Sequence, residues 1–253
     1  MREKFAVQLF TLRRELDKDL PKVLKDLKNM GWSGVQLGDY HGYRPEEIAS
    51  ILKELDLSVA GMMMDMARMK TDLSGVLKEA ELFQTKDLIF PYVPEGKRGK
   101  ENYIALRQTL NEIALKIKGQ GYRISYHNHD FELNTTINSQ SALEYMVEPV
   151  EDNHILAQFD VYWLKKANRD PLKFIQPYAH RMPMIHLKDM DKEDKNFAAL
   201  GTGMIEITPI LSWGEAHGIE WYVVEQDECP GDPMDSLQIS FDHLHQLVTK
   251  DVI

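Results

Sequence analysis

Along almost the whole of this 253-residue chain, short apolar runs rich in β-branched and aromatic residues alternate with longer amphipathic stretches that end near Gly, Asn or Pro. A strand that is apolar throughout is covered on both faces, and sheets covered on both faces are parallel, with helices as their crossovers. The pattern therefore predicts repeated βα units and an α/β fold. Strand one is read at Phe5–Phe10 and its helix from Leu16 to Met30, where Leu20, Val23, Leu24, Leu27 and Met30 recur at helical spacing before Gly31. Strand two covers Gly34–Leu37, and its helix opens on Pro45, Glu46 and Glu47, residues suited to a first turn. Strand three is Ser58–Met63 with a helix at Leu73–Phe83, and strand four is Asp87–Tyr92 with a helix at Glu101–Lys118. Strands five to eight fall at Arg123–Asn128, Ile155–Asp160, Met184–Leu187 and Trp221–Glu225. The later helices fall at Pro171–Tyr178, Pro209–His217 and Ser236–Val248.

Eight parallel strands close into a (β/α)8 TIM barrel, whose reactive end is the carboxyl end of its strands. An open doubly wound sheet alternates in the same way, but no glycine-rich phosphate loop follows strand one. The expected organisation is a single barrel domain over residues 1–253, a length usual for that fold. The loop from Asp189 to Gly203 is the longest polar stretch between elements and is expected to cover part of the reactive end.

Charge and cysteine content narrow the partners. The net charge is -10, and the most basic stretch is only Lys97, Arg98 and Lys100, so nucleic acid is not an expected partner. No apolar run reaches the roughly 18 residues of a membrane span, and MREKFAVQLF passes into a strand without a small-residue cleavage site. A single cysteine, Cys229, allows no internal disulfide, and its acidic surroundings do not activate a thiolate. A cytoplasmic protein is the expectation. A homo-oligomer is compatible with all of this.

Strands five to eight each end on a residue able to bind a metal: His127, Asp160, His186 and Glu225. One such residue alone is more often a hydrogen-bonded surface group. Four at equivalent strand ends converge on one side of a barrel mouth, where polar groups following apolar strands need a common partner. The mixed His and carboxylate set suits one divalent ion, Mn, Zn, Co, Fe or Mg, rather than Ca.

The runs YHNHDFEL, FDVYWLKKA followed by DPLKFI, HLKDMD, LGTGMIEI and VVEQDECPGDP resemble those of the sugar phosphate isomerase/epimerase family, the xylose-isomerase-like barrels. The resemblance runs from AVQLFTLR to the last helix. It implies a metal held by Glu on strand five, Asp on strand six, His on strand seven and Glu on strand eight. Asp160, His186 and Glu225 match that pattern directly, but His127 stands where Glu is expected. A metal-bound imidazole cannot double as a carboxylate base, so the two-glutamate proton shuttle of related epimerases does not carry over. Glu132 offers either an acid from the following loop or a solvated side chain.

Position suggests further site residues. His129 shares strand parity with His127 and is expected to hydrogen-bond substrate, to act as acid or base, or to support a ligand. Lys188 shares parity with His186 and is placed to hold a substrate oxygen; Asp189 either orients a ligand or is an exposed loop acid. Trp163 offers a plate for a sugar face, or is a rim or core residue. Gln8 and Gln36, amides among apolar neighbours, are expected to bind substrate hydroxyls or each other. Met62, Met63, Met64 and Met66 are read as core or pocket lining.

The leading expectation is a metal-dependent isomerase or epimerase that acts on a small sugar, keto-sugar or polyol by proton abstraction next to a carbonyl. Glu225, His129, Lys188 or Glu132 would handle protons. The alternative is a dehydratase or lyase on an inosose or 3-keto-glycoside, which the resemblance implies through strand five, since some dehydratases of that superfamily carry a histidine-rich segment there. Metal-assisted phosphodiester hydrolysis needs more His ligands and a basic face. A non-catalytic sugar-binding barrel is the reading outside enzymes.

Overall fold

A computed structural model describes residues 1–249. Its eight barrel strands are β1 Phe5–Gln8, β2 Gly34–Leu37, β3 Ser58–Met63, β4 Asp87–Phe90, β5 Arg123–His127, β6 Ile155–Asp160, β7 Met184–Leu187 and β8 Trp221–Val224. They close in the order β1-β8-β7-β6-β5-β4-β3-β2, and every neighbouring pair is parallel. This is the (β/α)8 barrel that the alternation predicts. The longer helices between strands are α1 Arg13–Met30, α2 Pro45–Glu54, α4 Leu73–Leu82, α5 Lys100–Lys118, α9 Ile207–Ala216 and α10 Pro233–Thr249. Among the described residues, none is long and apolar enough to cross a membrane.

Four short helices complete the set: α3 Met66–Thr71, α6 Ala142–Val147, α7 Val161–Lys166 and α8 Pro171–Ile175. The sequence reading has no helix at α3, α6 or α7, because a stretch of six residues gives too few turns to show a period. Their caps are nevertheless written in the chain. Ser141 and Glu144 make a capping box at α6, and Asp160 caps α7 through Tyr162 N at 2.8 Å and Trp163 N at 3.2 Å.

Strand ends also differ by one or two residues from expectation, and the reason is local. Strand one stops at Gln8, whose side-chain oxygen accepts the Phe10 N–H at 3.1 Å and turns the chain into a 3-10 segment at Leu9–Leu12. Helix α1 then begins at Arg13 and breaks at Asp19, which leaves helical geometry two residues before Pro21. The Asp19 carboxylate caps the second half by accepting Lys22 N at 3.0 Å.

Most buried apolar side chains lie in one continuous layer between the barrel and its helices. The barrel interior is different. Ala6, Ala60 and Val223 form a separate small cluster, while the positions that share their parity nearer the carboxyl end, Gln8 and Glu225, are polar. At the amino end Arg123 bonds Asp87 at 2.5 and 3.0 Å and Glu220 at 2.8 Å, and Lys86 reaches Glu220 at 3.1 Å. Apolar walls, a charged floor and a polar mouth thus fix where chemistry can occur.

Candidate metal centre

His127 and Asp160 end β5 and β6, His186 lies on β7 opposite Asp160, and Glu225 follows β8 directly. His127 pairs with Gln158, two residues short of Asp160, and Glu225 lies two beyond the partner of His186, so the set climbs from strand to strand as the tilt of barrel strands requires. One donor atom from each lies within 4.8 Å of every other, and all four residues are buried. His127 Nδ1 is buried without a hydrogen-bond partner. Asp160 spends Oδ1 on the cap of α7, and Oδ2 makes no hydrogen bond, only an ion contact with Lys188 Nζ at 3.0 Å. Burial, with the neighbouring imidazoles His186 and His129, holds the His127 pKa well below its ordinary value, so this ring is neutral and keeps a lone pair. Two imidazoles and two carboxylates with such orphaned atoms fit one first-row divalent cation.

Lys188 is the cation that the chain itself supplies. Its ammonium lies 2.8 Å from Glu225, 3.0 Å from Asp160 and 3.0 Å from Asp227, with 1% of its side chain exposed. Burial alone would remove its proton, but the three carboxylates outweigh burial and raise its pKa well above the usual lysine value. The same pairing works on Glu225. Burial favours its neutral form, yet Lys188 and His186 overcome that and hold the carboxyl well below its usual range. Asp227, with burial and Glu225 against it, is pushed up to about 6.

His129 stands beside the cluster, its ring 5.2 Å from His127, stacked on Phe131 at 5.2 Å and tilted against Trp163 at 5.1 Å. Burial, reinforced by the Lys188 charge, lowers its pKa to about 3, and its Nδ1 has no partner. Trp163 and Phe197 complete an apolar wall, each about 5.5 Å from the Lys188 ammonium (5.4 and 5.5 Å). Phe197 arrives on a short hairpin in which Asp189–Met190 pairs with Phe197–Ala198. The polar loop after β7 thus does fold over this end.

Two expected site residues lie elsewhere. Glu132 is neither a ligand in this cluster nor a solvated loop acid: it is fully buried, accepting the Tyr126 hydroxyl at 2.9 Å and the His129 N–H at 2.8 Å. Tyr126 has the opposite strand parity to His127, so this carboxyl belongs to the layer outside the barrel. Asp189 is likewise no exposed acid. Its carboxylate accepts the backbone N–H groups of Met190, Gly201, Gly203 and Ile205 at 2.7 to 3.0 Å and is consumed by its own loop.

Gln8 and Gln36 are brought to the cluster and bond each other at 2.9 Å, with Gln36 Oε1 also 2.7 Å from His186 Nε2. Of the residues that position this site, sequence reasoning omits Asp227, although its parity with Glu225 marks it. It also omits Asn128, whose side-chain oxygen accepts Asp160 N at 3.0 Å and ties β5 to β6. Tyr92, read as the end of strand four, lies just past it, and Phe131 and Phe197 come from the segments after β5 and β7, where no period announces them.

A (β/α)8 barrel with a buried His and carboxylate cluster at the carboxyl end of four successive strands defines a class of barrel able to hold a metal at its mouth. The chain belongs to the xylose isomerase-like TIM barrel family, whose model matches residues 24–247. An inosose dehydratase from Clostridium perfringens is 24% identical over 156 residues, 54% of this chain and 52% of its own. Another, from Geobacillus thermodenitrificans, is 24% identical over 149 residues, 52% of this chain and 49% of its own. The chain thus spans about half the length of the curated relatives it matches. Among solved structures, a sugar phosphate isomerase/epimerase from Parabacteroides distasonis superposes with a TM-score of 0.81 at 19% identity, over 96% of this chain and 98% of that one. The IolI protein with a bound zinc atom gives 0.72 at 14% identity over 98% of both chains. At these identities the structural likeness speaks for the fold.

Proposed function

We propose that this chain is a metal-dependent sugar isomerase or epimerase that removes a carbon-bound proton next to a carbonyl of a small carbohydrate. The observation that supports this best is the meeting, at one barrel mouth, of a buried four-residue ligand set, a neutral imidazole and a captive ammonium. A divalent cation at His127, Asp160, His186 and Glu225 supplies Lewis acidity to adjacent carbonyl and hydroxyl oxygens.

The remaining steps belong to side chains. His129 is neutral with an unpartnered Nδ1 and stands where it can take the proton; at a pKa of about 3 it is a weak base, and negative charge developing on the substrate is what would raise it. Glu225 is engaged by Lys188 and His186, and Glu132 lies outside the barrel wall. Lys188 keeps its charge and lends a positive field to an oxygen that gains electron density. Trp163 and Phe197 present an apolar face to sugar C–H groups and keep water from the base. One free base returns a proton to the same face, at the same or the neighbouring carbon. That suits isomerisation better than inversion, which calls for bases on both faces.

A second reading is loss of a β-hydroxyl from an inosose-like ketone, favoured by the inosose dehydratase relatives and by His127 in the place of a glutamate. Both readings share the first proton transfer. Metal-loaded protein incubated with ketoses, inososes and 3-keto-glycosides in deuterated water separates them. Deuterium entering carbon without loss of water supports the isomerase or epimerase; loss of water or of an aglycone supports the lyase. Full metal occupancy with no exchange into any carbonyl substrate would overturn both and leave a sugar-binding barrel.

A further inference from the structure

We propose that Gln8 and Gln36 are positioning residues that fix the tautomer of His186, through a relay that begins at the Phe10 backbone N–H. The inference rests on the reading of His186 as a metal ligand. Its force comes from one group whose role is beyond choice, since a backbone N–H can only donate.

Phe10 N–H lies 3.1 Å from Gln8 Oε1, so this end of the amide must be the oxygen. Gln8 Nε2 is then the other end and donates to Gln36 Oε1 at 2.9 Å. That contact orients the second amide in turn. Its NH2 faces Met184 Sδ at 3.4 Å, and a thioether is an acceptor only. Gln36 Oε1 therefore meets His186 Nε2, at 2.7 Å, as an acceptor, and the imidazole proton resides on Nε2.

The consequence reaches the cluster. With Nε2 as donor to Gln36, Nδ1 is the nitrogen that faces Glu225 Oε2, 3.2 Å away; a second ring proton there bonds the carboxylate in the metal-free chain, and a divalent cation would take that proton's place. A proton on Nδ1 alone would instead set a bare Nε2 against Gln36 Oε1, two acceptors in contact, and close the metal side. Gln8, Gln36 and His186 are all buried, so water does not compete for these bonds. The irregular register between β2 and β3 falls at Val35/Gln36, where Gln36 pairs with Gly61. Gly61 has φ of +157, and a Cβ there would lie 2.5 Å from Ile89 Cδ1. The extra residue of this irregularity is Ala60 on β3, while β2 stays in regular register with β1, so Gln36 faces inward by the same parity as Gln8.

The test reads the ring directly. Long-range proton–nitrogen NMR of the metal-free, full chain, with His186 assigned by its loss in His186→Ala, should show a protonated Nε2 whether or not Nδ1 also carries a proton. Gln8→Met, which alters no cluster residue, should give mixed tautomers and about tenfold weaker binding of Zn or Co in chelator competition. Gln36→Met should do the same. Gln36→Glu, which still accepts from both neighbours, should keep the wild-type tautomer and affinity. A merely structural role predicts that Gln36→Glu, a buried acid, is the most damaging of the three. A bare Nε2 in the wild type, or an unchanged tautomer in Gln8→Met, overturns the relay. Undiminished metal affinity in His186→Ala would instead overturn the ligand assignment, while the ring spectra still decide the relay.

Discussion

Glu132 and Glu225 are both buried, and burial raises both, yet they end on opposite sides of the usual carboxyl value because their partners differ. Glu132 meets only a phenol and a backbone N–H, and burial raises it to about 7. Glu225 meets the Lys188 ammonium and stays ionised. The contrast assigns them different work: Glu225 can bind a cation, whereas Glu132 holds the His129 backbone and so the direction in which that ring leaves β5. It also makes a pH prediction. A carboxyl raised in the folded state keeps its proton while the unfolded chain loses it, so the contribution is full below the unfolded value near 4.3 and is lost as pH rises toward 7. Denaturant unfolding between pH 5 and pH 8 should show stability falling by roughly 3 kcal/mol from this group and levelling above about pH 7. In Glu132→Gln that slope should be smaller by the same amount; an identical slope would mean that the proton sits elsewhere.

The loop after β7 has almost no secondary structure of its own, and one side chain organises it. Four backbone N–H groups converge on Asp189, and Gly203 is required beside it, since a Cβ there would lie 2.3 Å from Asp189 Oδ1. Phe197 thereby reaches Tyr162 and Trp163, with ring centroids 4.5 and 5.8 Å apart respectively. Asp189→Ala leaves these donors without their acceptor and should cost roughly 2 to 3 kcal/mol, with faster hydrogen exchange across residues 197–205. Metal affinity should stay within about twofold, because Asp189 touches none of the four cluster residues. Undiminished protection of the loop would show that its hairpin holds without the carboxylate. This element also marks what the chain makes legible. Barrel strands are visible as short apolar runs; His127, Asp160 and Glu225 stand out because each closes such a run, and His186 because it is the polar residue inside one. Asp189 and Glu132 look like ordinary loop acids in sequence. What buries them is a chain reversal of 3 to 16 residues, which leaves no periodic trace.

At the scale of the molecule, the barrel keeps stability and chemistry at opposite ends. The amino end is tied by Arg123, which spans from Asp87 at the start of β4 to Glu220 just before β8. Asp87 is 3% exposed, and burial, only partly countered by Arg123, raises its pKa. The carboxyl end holds the cluster, and the small Ala6, Ala60 and Val223 layer lies between. Removing Arg123 strands a buried acid on the floor without touching the mouth. Arg123→Met should therefore cost about 3 to 5 kcal/mol, the usual consequence of breaking a buried ion pair from one side. For a chain of this size that is a fall in Tm of roughly 6 to 12 °C. Divalent-metal affinity and the His186 ring spectrum, measured well below the new Tm, should match the wild type. Equal stability loss with a large loss of metal affinity would mean that the two ends are coupled through the strands, and that the floor helps to set the spacing of the ligands. The double variant Arg123→Asn with Asp87→Asn decides between charge and shape. It removes both the guanidinium and the acid it compensates, so if charge is what matters, it should lose less stability than Arg123→Met does alone.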